Sequence, residues 1–284
     1  MNTEKEKLGR LLNLFPKQAV ATHFGHGAAT KDDVVTAVAR SQPSADIKAF
    51  AKQFFGLTKQ HVYFFETGMK ELPNPIFPDF EMLATPTPKK AQFYLAELIF
   101  TTFVRPQDEE IPLSFWWPIM VSIERKTVLL RTTLMEKKVS SYFDPNCVVF
   151  TLGQNFDDEA LLKKFRDGVG NDCAALDLNK GVKTLWASDV IDAQSSRWKT
   201  PVATATISMD GELTMKQKAP DHYAGAMKAP LLKNVFKQVK DGTNGNNFPK
   251  SFTADASAGI LTFHTFGKNE TDISNVVGEI LRLN

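Results

Sequence analysis

A chain of 284 residues, 43% hydrophobic and 23% charged, has room for one large domain or two modest ones and the composition of a folded globular protein. Its 22 phenylalanines, against four tyrosines and four tryptophans, exclude a disordered chain, which lacks the large apolar groups that drive folding. A formal charge of +2 excludes a polyanion partner held by bulk charge, so nucleic-acid affinity would need locally gathered lysines and arginines.

The opening MNTEKEKLGR carries charges where a secretory leader has an apolar core. The most apolar region, around Phe115 to Leu134, is interrupted by Pro118, Glu124, Arg125, Lys126 and Arg131, too often for a bilayer span. Cys147 and Cys173 are too few for a disulfide framework. These features lead to the expectation of a cytoplasmic protein with no membrane partner.

The first sixty residues read as helical. Leu8, Leu11, Leu12 and Phe15 recur at helix spacing. Pro16 suits the first turn of a second helix, which ends at Gly25 to Gly27. Thr30 is placed to cap a third helix over residues 31–40, with Asp32 and Asp33 at the positive end of its dipole. A fourth runs from Pro43 or Ser44 to Phe55, with Ile47, Phe50, Ala51, Phe54 and Phe55 as its apolar face. Residues 1–58 are thus expected to form a helical bundle, and residues 59–284 a mixed, largely antiparallel α+β domain.

In the second part, HVYFFE at 61–66 reads as a strand. Residues 67–90, with Pro73, Pro75, Pro78, Pro86 and Pro88, read as a long irregular connection. Residues 92–104 are assigned to a strand by their β-branched and aromatic content, although their periodicity fits a helix equally. LSFWWPIMVSIERKTVLLRTTLME makes two strands about a turn near residues 124–126, which puts Pro118 at a bulge or an edge. A helix over residues 157–168 follows. Asp210-Gly211, within TATISMDGELTMKQ, predicts a hairpin. A helix over Pro230 to Lys240, a hairpin across Ala256 to Gly259 and a helix from Asp272 to Leu283 complete the chain.

No Walker loop, dinucleotide glycine pattern or serine elbow is present, so no cofactor and no catalytic residue are expected. GVGND at 168–172 follows a helix rather than a strand and reads as a helix end. Cys147, in the apolar run CVVFTLG, is expected to be buried, and Cys173, beside Asp172, exposed. The acidic clusters Asp108-Glu109-Glu110 and Asp157-Asp158-Glu159 lack the acidic-x-Lys order of a metal-dependent nuclease. His23 and His26 are three apart, but no neighbouring residue completes a ligand set, and no metal is expected.

Residues 8–40 resemble the SAP, or helix–extension–helix, family of small DNA-binding units. The resemblance rests on an apolar helix, then Gly25 and Gly27 in the extension, then Lys31 ahead of Val34, Val35 and Val38. It implies phosphate binding at the open start of the second helix, with Lys31 adding charge, and Lys17 is expected to contribute from the same helical unit. This sequence departs from the family where Asp32 and Asp33 follow the lysine.

A larger concentration of charge lies between Lys216 and Lys250, with seven lysines against Asp221 and Asp241. Lys233, Lys237 and Lys240 fall at i, i+4 and i+7 of the expected helix, opposite Leu231, Leu232, Val235, Phe236 and Val239. With Lys216, Lys218, Lys17 and Lys31 they make DNA or RNA the first expected partner. Trp116 and Trp117 must face opposite sides of a strand, which leaves one as a candidate anchor for a partner protein. The leading expectation is a non-enzymatic nucleic-acid-binding protein. The alternatives are an adaptor that docks onto another protein and an enzyme with dispersed carboxylates.

Overall fold

The computed structural model describes residues 3–27, 30–83, 91–135, 139–170, 173–209, 213–240 and 247–284. Its helices are α1 (Glu4–Leu12), α2 (Lys17–Phe24), α3 (Lys31–Ser41), α4 (Ser44–Gln53), α5 (Asp158–Val169), α6 (Asn179–Ala187), α7 (Met215–Lys218), α8 (Pro220–Lys228) and α9 (Asp272–Leu283). Its strands are β1 (Gln60–Glu66), β2 (Glu81–Met82), β3 (Ala91–Arg105), β4 (Glu109–Glu124), β5 (Thr127–Thr133), β6 (Val148–Gln154), β7 (Ile191–Lys199), β8 (Thr204–Ser208), β9 (Lys233–Gln238), β10 (Ser251–Asp255) and β11 (Ile260–Phe263). Helices come first and antiparallel strands follow, so the class is α+β.

The chain divides into two compact units, one of Met1–Phe55, Glu71–Ser122 and Thr132–Asp172, the other of Gly56–Lys70, Ile123–Arg131 and Cys173–Asn284. The boundary expected at residue 58 therefore does not isolate the bundle. Its core of Leu11, Leu12, Phe15, Val34, Val38 and Phe50 is completed by Phe93 and Leu95 of β3. Short helices draw most of their stability from packing, and here a sheet supplies the surface.

In the first unit, β3 and β4 keep one register from Ala91 opposite Ser122 to Val104 opposite Glu109. Pro118 lies opposite Leu95 within it, so the expected bulge is absent there. Phe93 and Leu95 face the helices, whereas Tyr94 meets Phe77, which packs against Phe165 of α5. A strand covered on both faces becomes a near-continuous apolar run, and this is why the spacing of β3 fits a helix too. The proline-rich connection is laid over the same unit. Leu72, Ile76 and Phe77 are buried, and β2 pairs with β3, while Pro86 and Pro88 lie outside the described residues.

Neither cysteine takes the expected burial. Cys173 is buried, and Cys147 is half-buried at the start of β6, a mostly exposed strand that pairs with β3. The apolar composition that promised burial belongs to a sheet edge.

In the second unit the strand order is β5-β1-β11-β10-β9-β7-β8. From α6 and α9, Leu185, Trp186, Val276 and Ile280 join one core with Phe236, Phe252, Leu261 and Phe263 of the strands. Two expectations fail here. Residues 230–240 are not a helix, because Lys233–Gln238 is β9, paired on both sides, with β7 and β10. Its adjacent Val235 and Phe236 suit a pleated surface, and partners on both edges decide the matter. Nor does Met215–Lys218 form the second arm of a hairpin. It is helical, and β8 pairs back onto β7, while Asp210 and Gly211 lie outside the described residues. The hairpin across residues 256–259 is present between β10 and β11, with Gly259 at φ 68°. Among the described residues no helix is long and apolar enough to cross a membrane.

Candidate functional site

Strand side chains alternate between faces, so burial tells which groups of β7, β8 and β9 look away from the core. On β9, Asn234 and Phe236 are buried, Lys233 is exposed, and Val235 and Lys237 are half-buried. On β7, Ser196 and Trp198 are buried, and Arg197 and Lys199 are exposed. Thr206 and Thr204 of β8 are also exposed and lie opposite Arg197 and Lys199. Ser195 lies opposite both Ser208 and Val235, which makes the outer rows of the three strands one surface. This sheet face carries Arg197, Lys199, Lys233 and Lys237 among hydroxyls, with the carboxylate Asp255 of β10 opposite Lys233 and the buried Asp192 of β7 opposite Lys237. Beneath it, the Oδ1 of Asn234 accepts from Ser196 Oγ at 2.7 Å and from the backbone N–H of Arg197 at 2.8 Å. Those bonds fix the backbone from which Arg197 projects.

The candidate lysines Lys17, Lys31, Lys216, Lys218, Lys233, Lys237 and Lys240 belong to different elements of the two units. Lys233 and Lys237 lie on this face, four residues apart on a strand rather than on a helix. Lys216 donates to Asp189 and to the Ala187 carbonyl, and its Nζ lies 5.3 Å from the ring centre of Tyr223. Its bond and charge, with a smaller contribution from Lys240, hold the Asp189 carboxyl below the usual range. Lys240 follows β9, and Lys218 ends α7, both exposed. Lys17 and Lys31 belong to the first unit. Thr30 caps α3 as expected, its side chain accepting from the Asp33 N–H. Lys31, however, donates to the carbonyl of Asn13 at 2.7 Å, so its ammonium ties α3 to the end of α1 instead of pointing outward. Sequence reading misses Arg197 and Lys199. Their signal is the alternation Ser195-Ser196-Arg197-Trp198-Lys199, polar at every second position with Trp198 turned inward.

Neither tryptophan is an open anchor. Trp117 is buried, and its Nε1–H donates to the Thr133 carbonyl at 2.7 Å. Trp116 lies on the opposite face, half-buried, with the ammonium groups of Lys7 and Lys48 4.7 and 4.8 Å from its ring centre. Those lysines pair in turn with Glu97 and Glu81, so the ring is roofed by α1 and α4. His23 packs against Phe24, Phe50 and Phe54, and His26 lies past the end of α2, near Ser41. Among the described residues, no three His, Cys, Asp or Glu side chains group as metal ligands.

Comparison with known protein families, with curated proteins and with solved structures gives no match.

Proposed function

We propose that this chain is a non-enzymatic binding protein that holds a nucleic-acid backbone across the β7–β8–β9 face of its second unit. The observation that carries the reading is the exposed pair Arg197 and Lys199, each directly opposite a threonine of β8, on a face that Lys233 and Lys237 share. Cations neutralise phosphates and hydroxyls bond to them, and neither reads a base edge. Binding is therefore expected to depend on salt and to be nearly indifferent to sequence. The proposal rests on the second unit, because Lys31 is already engaged by Asn13.

Fluorescence anisotropy with labelled single-stranded DNA, RNA and duplex, across a salt series, tests it. Four engaged cations give a log–log salt slope of about −3 to −4. The quadruple variant R197E/K199E/K233E/K237E should lose binding while keeping its circular dichroism spectrum. Unchanged affinity in that variant, or a flat salt response, would overturn the proposal.

A further inference from the structure

The outward rows of β7, β8 and β9 set cations beside hydroxyls, with Thr204, Thr206 and Ser208 of β8 all exposed. The aromatic residues of the same strands point the other way. Trp198 is only 4% exposed, and its ring lies against α8, where a Cβ on Gly225 would be 3.5 Å from the indole Nε1. Phe236 is fully buried, in ring contact with Trp186 and Phe252. On β8 the inward positions belong to Ala205 and Ile207, which pack on the same core. The sequences that join or follow these strands, TPVA at 200–203, DGE at 210–212 and DGTNGN at 241–246, contain no phenylalanine, tyrosine or tryptophan.

Single strands and double helices ask different things of such a surface. A single strand has unstacked bases, and proteins that hold one gain roughly five-fold or more in affinity for each base laid on an aromatic ring. A duplex keeps its bases stacked on one another and turns phosphates outward, one charge per about 1.7 Å of axis against about 3.4 Å along one strand. We infer that this face, taken as the phosphate-binding surface proposed above, holds double-stranded nucleic acid and discriminates against single strands. Its cations and hydroxyls meet what a duplex presents on its outside, whereas the bases of a single strand find Thr206 and Val235 where a ring would serve them. Each phosphate neutralised releases about 0.9 of a counterion from B-form DNA and about 0.7 from a single strand. Over the four cations, that difference favours the duplex by roughly ten-fold at about 50 mM salt, relative to 1 M. Duplexes of DNA and of RNA share this chemistry, RNA adding its 2′-hydroxyls.

Fluorescence anisotropy of the full chain, with a duplex and each of its separated strands at one length, tests the inference. The duplex should bind about ten-fold more tightly than either strand at about 50 mM salt. Duplex DNA and duplex RNA measured in parallel identify which polymer supplies the phosphates, and either one binding above its own strands supports the inference. The variant T206Y puts a ring on the exposed row of β8, opposite Arg197. It should raise single-strand affinity by about five-fold and so narrow the gap. Single strands that bind wild type as tightly as the duplexes, or a T206Y variant that gains nothing for them, would overturn the inference and leave the cationic face standing. If no form binds, or if R197E/K199E/K233E/K237E binds every form like the wild type, the phosphate-binding face itself falls.

Discussion

The Nε–H of Arg10 donates to the main-chain carbonyl of Ser114 at 2.8 Å, a buried bond that joins α1 to β4 inside the first unit. Arg10 is only 6% exposed, and its guanidinium lies 5.3 Å from the ring centre of Phe115. Burial lowers its pKa from the ordinary arginine value, but at neutral pH it remains a cation. Arg10→Ala removes a charged donor and the packing of its stem, for an expected loss of about 3 kcal/mol. Arg10→Met keeps the stem and should lose about 2 kcal/mol. Urea denaturation measures both, and a midpoint unchanged in Arg10→Ala would refute the role given to this bond.

Trp116 and Trp117 offer an internal control. The Nε1–H of Trp117 has the Thr133 carbonyl, whereas that of Trp116 is buried and has no acceptor among the described residues. Trp116→Phe removes an unsatisfied donor, whose burial costs about 1–3 kcal/mol, and this offsets the smaller ring. Trp117→Phe loses a buried hydrogen bond and leaves the ring smaller. The second variant should be less stable than the first by about 1–2 kcal/mol in parallel denaturation. Equal stabilities would mean that Trp116 does have a partner.

Gly168 and Gly153 differ in the same testable way. A Cβ on Gly168 would lie 2.2 Å from the Ile76 carbonyl oxygen, backbone against backbone, whereas one on Gly153 would meet nothing within 4 Å. Gly168→Ala forces α5 away from the segment that holds Phe77, with an expected loss of about 2 kcal/mol. Gly153→Ala should change the melting temperature little. A well-tolerated Gly168→Ala would show that α5 can shift freely.

How much of this was legible in the sequence depends on whether local pattern or distant pairing decides an element. The N-terminal helices could be read because Thr30, Pro16 and Gly25 punctuate them locally, and Gly25 does take the left-handed conformation at φ 70°. KNVFKQ was not legible as a strand. Its lysines at i and i+4 lie on one side of either a helix or a strand, and only the partners in β7 and β10 choose between them. The same pairing moved the candidate surface. Lys233 and Lys237 kept a shared face, but their neighbours became Arg197 and Lys199, residues nearly forty positions earlier whose alternation had gone unread. Burial failed where β6 was concerned, since apolar composition says nothing about whether a strand is central or at an edge.

Lys216 and Asp189 set the response to pH. The ammonium's hydrogen bond and charge hold the Asp189 carboxyl below its ordinary 3.8. Burial works against the charged form of Lys216, but the hydrogen bond to Asp189 and the influence of Tyr223 outweigh it, so its pKa is raised above 10.5. A depressed carboxyl stabilises the fold above its unfolded value and loses that contribution as pH falls through the folded one. A raised ammonium does so below its unfolded value and loses it as pH rises through the folded one. Both contributions are therefore present from about pH 4 to about pH 10. The pair is largely exposed, so its worth is that of a surface bridge, about 0.2–1 kcal/mol. Asp189→Asn is the suitable variant, because Asp189 sits at φ 62° and asparagine tolerates that region. Its melting temperature should fall slightly below that of the wild type at pH 7, and the gap should close as pH falls through the lowered folded pKa of the wild-type carboxyl, below 3.8. It should close again as pH rises through the raised folded pKa of Lys216, above 10.5. A gap that stays constant across the whole range would mean that Asp189 acts through backbone conformation and not through its charge.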